Sequence, residues 1–309
     1  MTRHFLRDDD LSPAEQREVL ELAFEFKRNR FYARPFEGPK AVALLFDKPT
    51  LRTQVSFGVG VAELGGFPLL VDGKLAGIGV RESIADIARV IGRQVAAIVW
   101  RTYGQDRIEE MAANVDVPVV NALTDSFHPC QVLADLAAVA HVRGGIDVLA
   151  GLRLCYVGDG ANNMAHSYLL GGANAGLHVT IATPDGYPPD PAILDDAREL
   201  AARTGGTVEV VDDPTEGIAD ADVVATDTWV SMGTEEDRAE RERAFAGFQL
   251  TPELMALAAR DANVIHCLPA YRGKEIDADV IDGPQSIVWE EAEFRLHAQK
   301  AVLTWLVDQ

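Results

Sequence analysis

The sequence has no apolar run approaching the ~18 residues that a membrane-spanning helix needs. It is poor in cysteine. Three are present, Cys130, Cys155 and Cys267, widely spaced and with no C-x-x-C pair. That argues against a disulfide framework and a structural zinc site, and fits a reducing compartment. Positive charge is scarce as well: 28 Lys+Arg face 48 Asp+Glu in 309 residues, a formal net charge of −20. Nucleic acid and anionic membrane both select basic patches, so neither is an expected partner. Residues 1–10 lack the apolar core and small-residue cleavage site of an export signal, and a cytoplasmic protein is the expectation. There is no low-complexity tract and no short-period repeat.

What is present is ordinary for a globular protein, with 48% hydrophobic and 25% charged residues. The length suits two domains, each able to bury its own core. Ser12-Pro13-Ala14-Glu15 is a capping box with Pro at the first helical position, and Val19, Leu20, Ala23 and Phe24 carry the apolar face onward. Apolar runs at 41–46, 67–71, 96–100 and 117–120 read as strands, with helices at 53–64, 82–93, 105–113 and 130–142. Gly144, Gly145 and Gly151 flank a junction. The scheme then repeats, with strands at 153–157, 179–182, 208–211, 223–226 and 264–267, and helices at 163–175 and 192–202. Residues 289–307 read as one amphipathic helix. Strands alternating with helices predict an α/β fold of two doubly wound parallel-sheet lobes of similar size, with an active site in the cleft between them. The expected domains are 1–143 and 144–289, with a terminal helix at 290–309 packing back on the first.

Seven short motifs stand out, six of them at strand ends. Lys48-Pro49-Thr50-Leu51-Arg52-Thr53 lies in a turn before a helix, where free N–H groups, hydroxyls and a guanidinium would cradle a phosphate. An N-capping Thr beside an exposed Arg would put the same residues there. Trp100-Arg101-Thr102 ends an apolar strand, so Arg101 faces a crevice or forms a rim ion pair. Phe127-His128-Pro129-Cys130-Gln131 holds His128 extended before Pro, and His128 with Gln131 suits a polar carbonyl; a capping His and a surface Gln are the plainer alternative. Gly158-Asp159-Gly160-Ala161-Asn162-Asn163 invites a dinucleotide reading. Asn163 stands where that fingerprint needs its third glycine, so a tight turn presenting Asn163 is preferred. Asp227-Thr228-Trp229-Val230-Ser231-Met232-Gly233 offers a carboxylate for an amino group. His266-Cys267-Leu268-Pro269 ends the last strand, and Glu291-Ala292-Glu293-Phe294-Arg295 lies on the final helix.

Taken in this order, the motifs resemble the ornithine carbamoyltransferases of the aspartate/ornithine carbamoyltransferase family over nearly the whole chain. The Asp-x-x-x-Ser-Met-Gly element is the most specific, because it is similar to the family's ornithine loop rather than to the aspartate site of the sister enzymes. The resemblance implies transfer of a carbamoyl group from carbamoyl phosphate to the side-chain amine of L-ornithine. It implies that Thr50, Leu51, Arg52, Thr53 and Arg101 hold the phosphate, and that Arg101, His128 and Gln131 address the carbamoyl group. It places Asn163, Asp227, Ser231 and Met232 on ornithine, with Cys267, Leu268 and Arg295 between. Arg52, Arg101, His128 and Cys267 are the expected catalytic groups. No cofactor and no metal are implied, and the family's assembly is a homotrimer. The charged run 234–243 reads as a solvated helix face or as part of a loop closing over ornithine.

The sequence departs from the family's pattern on the phosphate side. Thr50-Leu51-Arg52-Thr53-Gln54 stands for the usual Ser-Thr-Arg-Thr-Arg, Gly58 for Glu, Gly77 for Gln, and Phe294 for Asn. Each lost charge-assisted contact is worth roughly 1.5–3 kcal/mol. A paralogue with a changed acceptor or weakened carbamoyl phosphate binding, and a catalytically retired scaffold, are therefore the alternatives.

Overall fold

In the computed structural model, which describes residues 2–230 and 237–308, the chain divides into two compact units of nearly equal length. One comprises Met1–Ala137 and Glu293–Gln309, the other Ala138–Ala292. The division falls inside the helix Pro129–Arg143, not at the glycines after it. Likewise the helix Val288–Val307 contributes its first residues to the second unit and the remainder to the first.

The first unit is built on a four-stranded parallel sheet of β1 (Ala41–Phe46), β2 (Phe67–Asp72), β3 (Ala97–Arg101) and β4 (Val119–Leu123), in the order β2-β1-β3-β4. β3 and β4 are buried at every residue and β1 at all but its first. Continuous burial means that helices cover both faces, which is why these strands read as unbroken apolar runs. β2, at the edge, has only exposed and half-buried residues. The sequence places the last of these strands at 117–120, whereas β4 starts two residues on and runs to Leu123. The N-terminal segment explains the shift: Phe5 N–H donates to Val119 O, and Asn121 N–H donates to Phe5 O.

The second unit holds β5 (Arg153–Val157), β6 (His178–Ala182), β7 (Thr207–Val211), β8 (Val223–Thr226) and β9 (Asn263–His266), all parallel, in the order β7-β6-β5-β8-β9. The helix expected at 163–175 is α-helical over Asn163–Ser167 and then widens into a π-helical turn, Tyr168–Gly172. Gly172 there packs so close to β6 that a Cβ would lie 2.8 Å from Val179 Cγ2. Apolar periodicity reports the helix but not its inserted residue.

The Ser12 capping box forms as expected, with Glu15 N–H donating to Ser12 Oγ and Ser12 N–H to Glu15 Oε2. The final helix does not have the amphipathic character expected of it. From residue 297 to 306 every residue is buried, including Lys300, whose ammonium donates to Glu63 Oε2 at 2.7 Å. A fully paired internal cation replaces the solvent-facing stripe of an ordinary surface helix. Among the described residues no helix is long and apolar enough to cross a membrane.

Candidate active site

Each sheet reverses its direction of growth once. In the first unit this happens between β1 and β3, in the second between β5 and β8. Ligands of open parallel sheets collect beyond the carboxyl ends of the strands at such points. The residues following β1, β3, β5 and β8 are Asp47, Thr102, Gly158 and Asp227, so four of the seven motifs sit at the two reversals, while the His128 and His266 motifs follow the neighbouring strands β4 and β9.

In the first unit, the turn after β1 leads into the helix Arg52–Glu63. Its N-cap is Leu51, with no side-chain cap hydrogen bond. The alternative of a capping Thr is thus overturned, and the amides of the first turn remain for an anion. Thr50 is half-buried. Thr53 is buried, and its hydroxyl accepts a hydrogen bond from Arg295 Nη2 at 2.9 Å. The Nε of Arg52 is buried with no hydrogen-bond partner among the described residues. Arg101, at the end of β3, is buried, as are His128, Gln131 and Arg295. Gln131 Nε2 donates to Asp135 Oδ1 at 2.7 Å, which orients the amide and rules out a surface Gln. His128 is held well below the ordinary imidazole range, first by burial, then by the positive charges of Arg295, Arg101 and Lys48. The imidazole is therefore neutral at neutral pH, a hydrogen-bonding group inside a cationic pocket.

In the second unit, Asp227 is buried and accepts from Thr228 N–H at 2.7 Å and from Cys267 Sγ at 3.2 Å. Burial pushes its carboxyl above the ordinary range. His266 Nδ1 accepts from Leu268 N–H at 3.0 Å, which leaves Nε2 to donate to Glu275 Oε1 at 3.1 Å. Leu268 is held at φ 58°, a left-handed conformation unusual for a branched side chain. Asp227, His266 and Cys267 offer ligand atoms within 4.8 Å of one another, a donor set able to hold a metal ion. The imidazole nitrogens are already engaged, however, so the arrangement works as a hydrogen-bonded acid–thiol pair. Asn162 caps the helix Asn163–Ser167 through Ala165 N–H, and Asn163 follows at its first position, half-buried. A Cβ at Gly160 would lie 2.7 Å from Tyr187 O. That glycine is required by a close backbone approach, not by a dinucleotide. Ser231 and Met232 lie outside the described residues. Cys130 and Cys155 are buried and their thiols pushed up, that of Cys155 to about 12, as inert thiols should be.

Two family models match the chain. The carbamoyl-P binding domain of aspartate/ornithine carbamoyltransferase covers residues 3–141, and the Asp/Orn binding domain covers residues 150–306. The chain belongs to the aspartate/ornithine carbamoyltransferase family. It is 60% identical over 304 residues to an ornithine carbamoyltransferase of Bifidobacterium longum subsp. infantis, covering 98% of this chain and 95% of that one. It is 59% identical over 309 residues to the ornithine carbamoyltransferase of Clavibacter sepedonicus, with 100% of both chains covered. Among solved structures, ornithine carbamoyltransferase from Pyrococcus furiosus matches with a TM-score of 0.93 at 43% identity, covering 98% of this chain and 96% of that one. The anabolic ornithine carbamoyltransferase of Campylobacter jejuni gives 0.93 at 33% identity, with 99% of both covered.

Some departures from the aspartate/ornithine carbamoyltransferase pattern have a local setting, whereas nothing in the structure explains Gln54 or Gly58, where a Cβ would meet open space. Leu51 points outward, 74% exposed. Gly77 sits at φ 67°, the left-handed end of the short helix Gly73–Ala76, where a glutamine would be strained. Phe294 is fully buried against Phe24 and His297, with ring centroids 5.9 and 5.8 Å away, so it packs the core of its unit. Two basic residues were not among the candidate site residues, one in each unit. Lys48 is buried, ion-paired with Asp125 and 4.9 Å from the centroid of Tyr103. Its place directly after an apolar run and an acid could have marked it. In the charged run, Arg241 turns inward to pair with Asp159 and donate to Trp229 O at 2.6 Å, while its neighbours 237–240 are exposed.

Proposed function

We infer that this chain transfers the carbamoyl group of carbamoyl phosphate to the side-chain amine of L-ornithine, giving L-citrulline and phosphate, a step of arginine biosynthesis. The observation that carries the reading is the pairing, along one family-wide match, of a cationic pocket at the first sheet's reversal with a buried acid–thiol pair at the second's. One half suits a phosphorylated carbonyl compound, the other an amine that must lose a proton.

The roles follow from the chemistry. The first-turn amides, Thr50, Leu51 through its backbone, Arg52, Thr53 and Arg101 bind the phosphate. Neutral His128 and Arg101 donate to the carbamoyl oxygen as negative charge builds there, in the manner of an oxyanion hole. Gln131 and the backbone of Leu268 fix the carbamoyl amide. Arg295 holds Thr53 in place. Asn163, Asp227, Ser231 and Met232 bind ornithine. The amine nitrogen attacks the carbamoyl carbon, the bond from that carbon to the phosphate oxygen breaks, and phosphate leaves with the electron pair. Asp227, whose carboxyl burial has made more basic, takes the proton the amine sheds, with Cys267 hydrogen-bonded to it. No cofactor and no metal enters these steps. Holding the two reactants in line supplies several kcal/mol of the acceleration.

We further propose a homotrimer in the cytoplasm. Edge strand β2 and the helix Arg52–Glu63 leave Phe67, Leu69, Leu70, Val55 and Val59 exposed, an apolar face suited to a second copy of the chain. The three free thiols suit a reducing compartment. Sedimentation velocity tests the assembly, and a monomer at micromolar concentration refutes it. Purified protein with carbamoyl phosphate and ornithine tests the function, with acetylornithine and putrescine as rival acceptors. Citrulline formation with ornithine as the preferred acceptor is expected. An absence of turnover overturns the reading.

A further inference from the structure

We propose that Arg107 is a positioning residue for carbamoyl phosphate, a role that rests on the function inferred above. Arg107 lies on the helix Gln105–Ala113, outside all the motifs. Its Nε donates to Thr102 Oγ1 at 3.0 Å, and its Nη2 donates to Ile78 O at 2.9 Å. The same Nη2 lies 3.4 Å from Asp47 Oδ2, and the guanidinium sits over the Trp100 ring, 5.3 Å from its centroid. Thr102 in turn donates to Asp47 Oδ2 at 2.6 Å, and Asp47 N–H donates to Arg101 O at 2.9 Å.

This network fastens the two strand ends that flank the reversal. Asp47 is the residue after β1 and immediately precedes Lys48 and the phosphate turn. Thr102 is the residue after β3 and immediately follows Arg101. Both are buried, so the hydrogen bonds form away from water and hold their geometry firmly. The third tie, to Ile78 O, draws the segment around 73–79 onto the same point. The fit is close enough to demand glycine twice. A Cβ at Gly73 would lie 1.8 Å from Asp47 Oδ1, and one at Gly79 would lie 2.9 Å from Arg107 Nη1. Arg107 needs no contact with substrate to matter, because small displacements of Arg101 or of the turn after Lys48 misplace the phosphate's donors.

The test uses the purified full chain. Arg107→Lys keeps the charge, but one ammonium cannot span Thr102, Ile78 and Asp47 at once. The KM for carbamoyl phosphate is expected to rise about tenfold, with the KM for ornithine within about twofold of wild type, as for loss of about one charge-assisted contact. The thermal midpoint should change little. Gly73→Ala, which presses on Asp47 from the opposite side, should give the same KM split, with a lower midpoint because of its clash with Asp47. Calorimetry with inorganic phosphate should show a comparable loss of affinity in both variants. The proposal is overturned if Arg107→Lys leaves the carbamoyl phosphate KM and the phosphate affinity unchanged, or if both KM values and the midpoint shift together. An active wild type with unaffected variants refutes the role of Arg107 alone. A wild type without citrulline production refutes the functional reading, and phosphate binding then still decides the role of Arg107.

Discussion

Replacing Asp227 by asparagine tests the second half-site most directly. The substitution keeps the shape of the side chain and removes its charge. The asparagine carbonyl can still accept from Thr228 N–H, which now reaches Asp227 Oδ1 at 2.7 Å. Two things are lost: the acceptor for the amine's proton, and the negative charge facing a cationic substrate. A positioned base contributes about 10²–10⁴ in rate, and a hydrogen bond to a charged group about 1.5–3 kcal/mol. kcat should therefore fall by about 10²–10⁴ and kcat/KM for ornithine by about 10³–10⁶, while the KM for carbamoyl phosphate stays near wild type.

Stability should move the other way. Burial raises the Asp227 carboxyl above its unfolded value of 3.8. A raised acid makes its full contribution to stability below the unfolded value and loses it as pH rises through the folded one. At neutral pH the native state thus carries an unfavourable buried carboxylate, and Asp227→Asn should leave the unfolding midpoint unchanged or raise it. Citrulline assays varying each substrate, together with thermal melts at pH 7, read both effects. Activity within tenfold of wild type, or a variant that melts clearly lower, would falsify the assignment of Asp227 as a buried functional acid.

Arg52→Ala should abolish turnover with almost no change in melting, because the buried Nε has no hydrogen-bond partner to lose among the described residues. Near-wild-type activity would remove Arg52 from the phosphate site. His128 is held well below 6.5 by burial and three cations, so the unfolded chain binds the extra proton first as pH drops below about 6.5. Stability should decline on acidification through that range. The slope should be shallower in His128→Gln, and an equal slope in denaturant titrations at pH 5–7 would count against a buried neutral imidazole. Gly160→Ala should destabilise by about 1–3 kcal/mol through the clash with Tyr187 O, and wild-type protein should leave NADH fluorescence unchanged. A melt equal to wild type, or NADH binding, would reopen the dinucleotide reading of that turn.

The strands of the two sheets were legible because most of them are central and buried on both faces, which writes an apolar run such as Ala41–Phe46 directly into the sequence. The candidate residues were legible because parallel topology puts the strand ends of each sheet on one rim of that sheet, so short motifs after apolar runs of the same unit fall near one another. What stayed hidden depends on partners far along the chain. Phe5 sets the extent of β4 from 115 residues away, and Lys300 is buried only because Glu63 and the backbone of Arg30 receive it. Arg107 looks like any exposed helical arginine until Thr102, Asp47 and Ile78 converge on it. Periodicity carries no record of such pairings.

Net charge was the least informative quantity about the ligand. A chain of −20 looks ill-suited to an anionic acyl phosphate. Charges more than about 8 Å away are largely screened at physiological ionic strength, whereas buried groups at contact distance are screened far less. Arg101, Arg295 and Lys48 all lie close enough to His128 to depress its basicity, and all are buried. Their field at the first sheet's reversal therefore outweighs the diffuse surface acidity. Of these cations, Lys48 answers to Asp125, so part of its charge is already balanced, and Arg295 is committed to Thr53. In the proposed reaction Arg52 and Arg101 meet the anion alongside them. On the proposed reading, Gln54 and the outward-facing Leu51 thin the outer part of the grip, while buried His128 and Arg101 remain to address the transferring carbonyl.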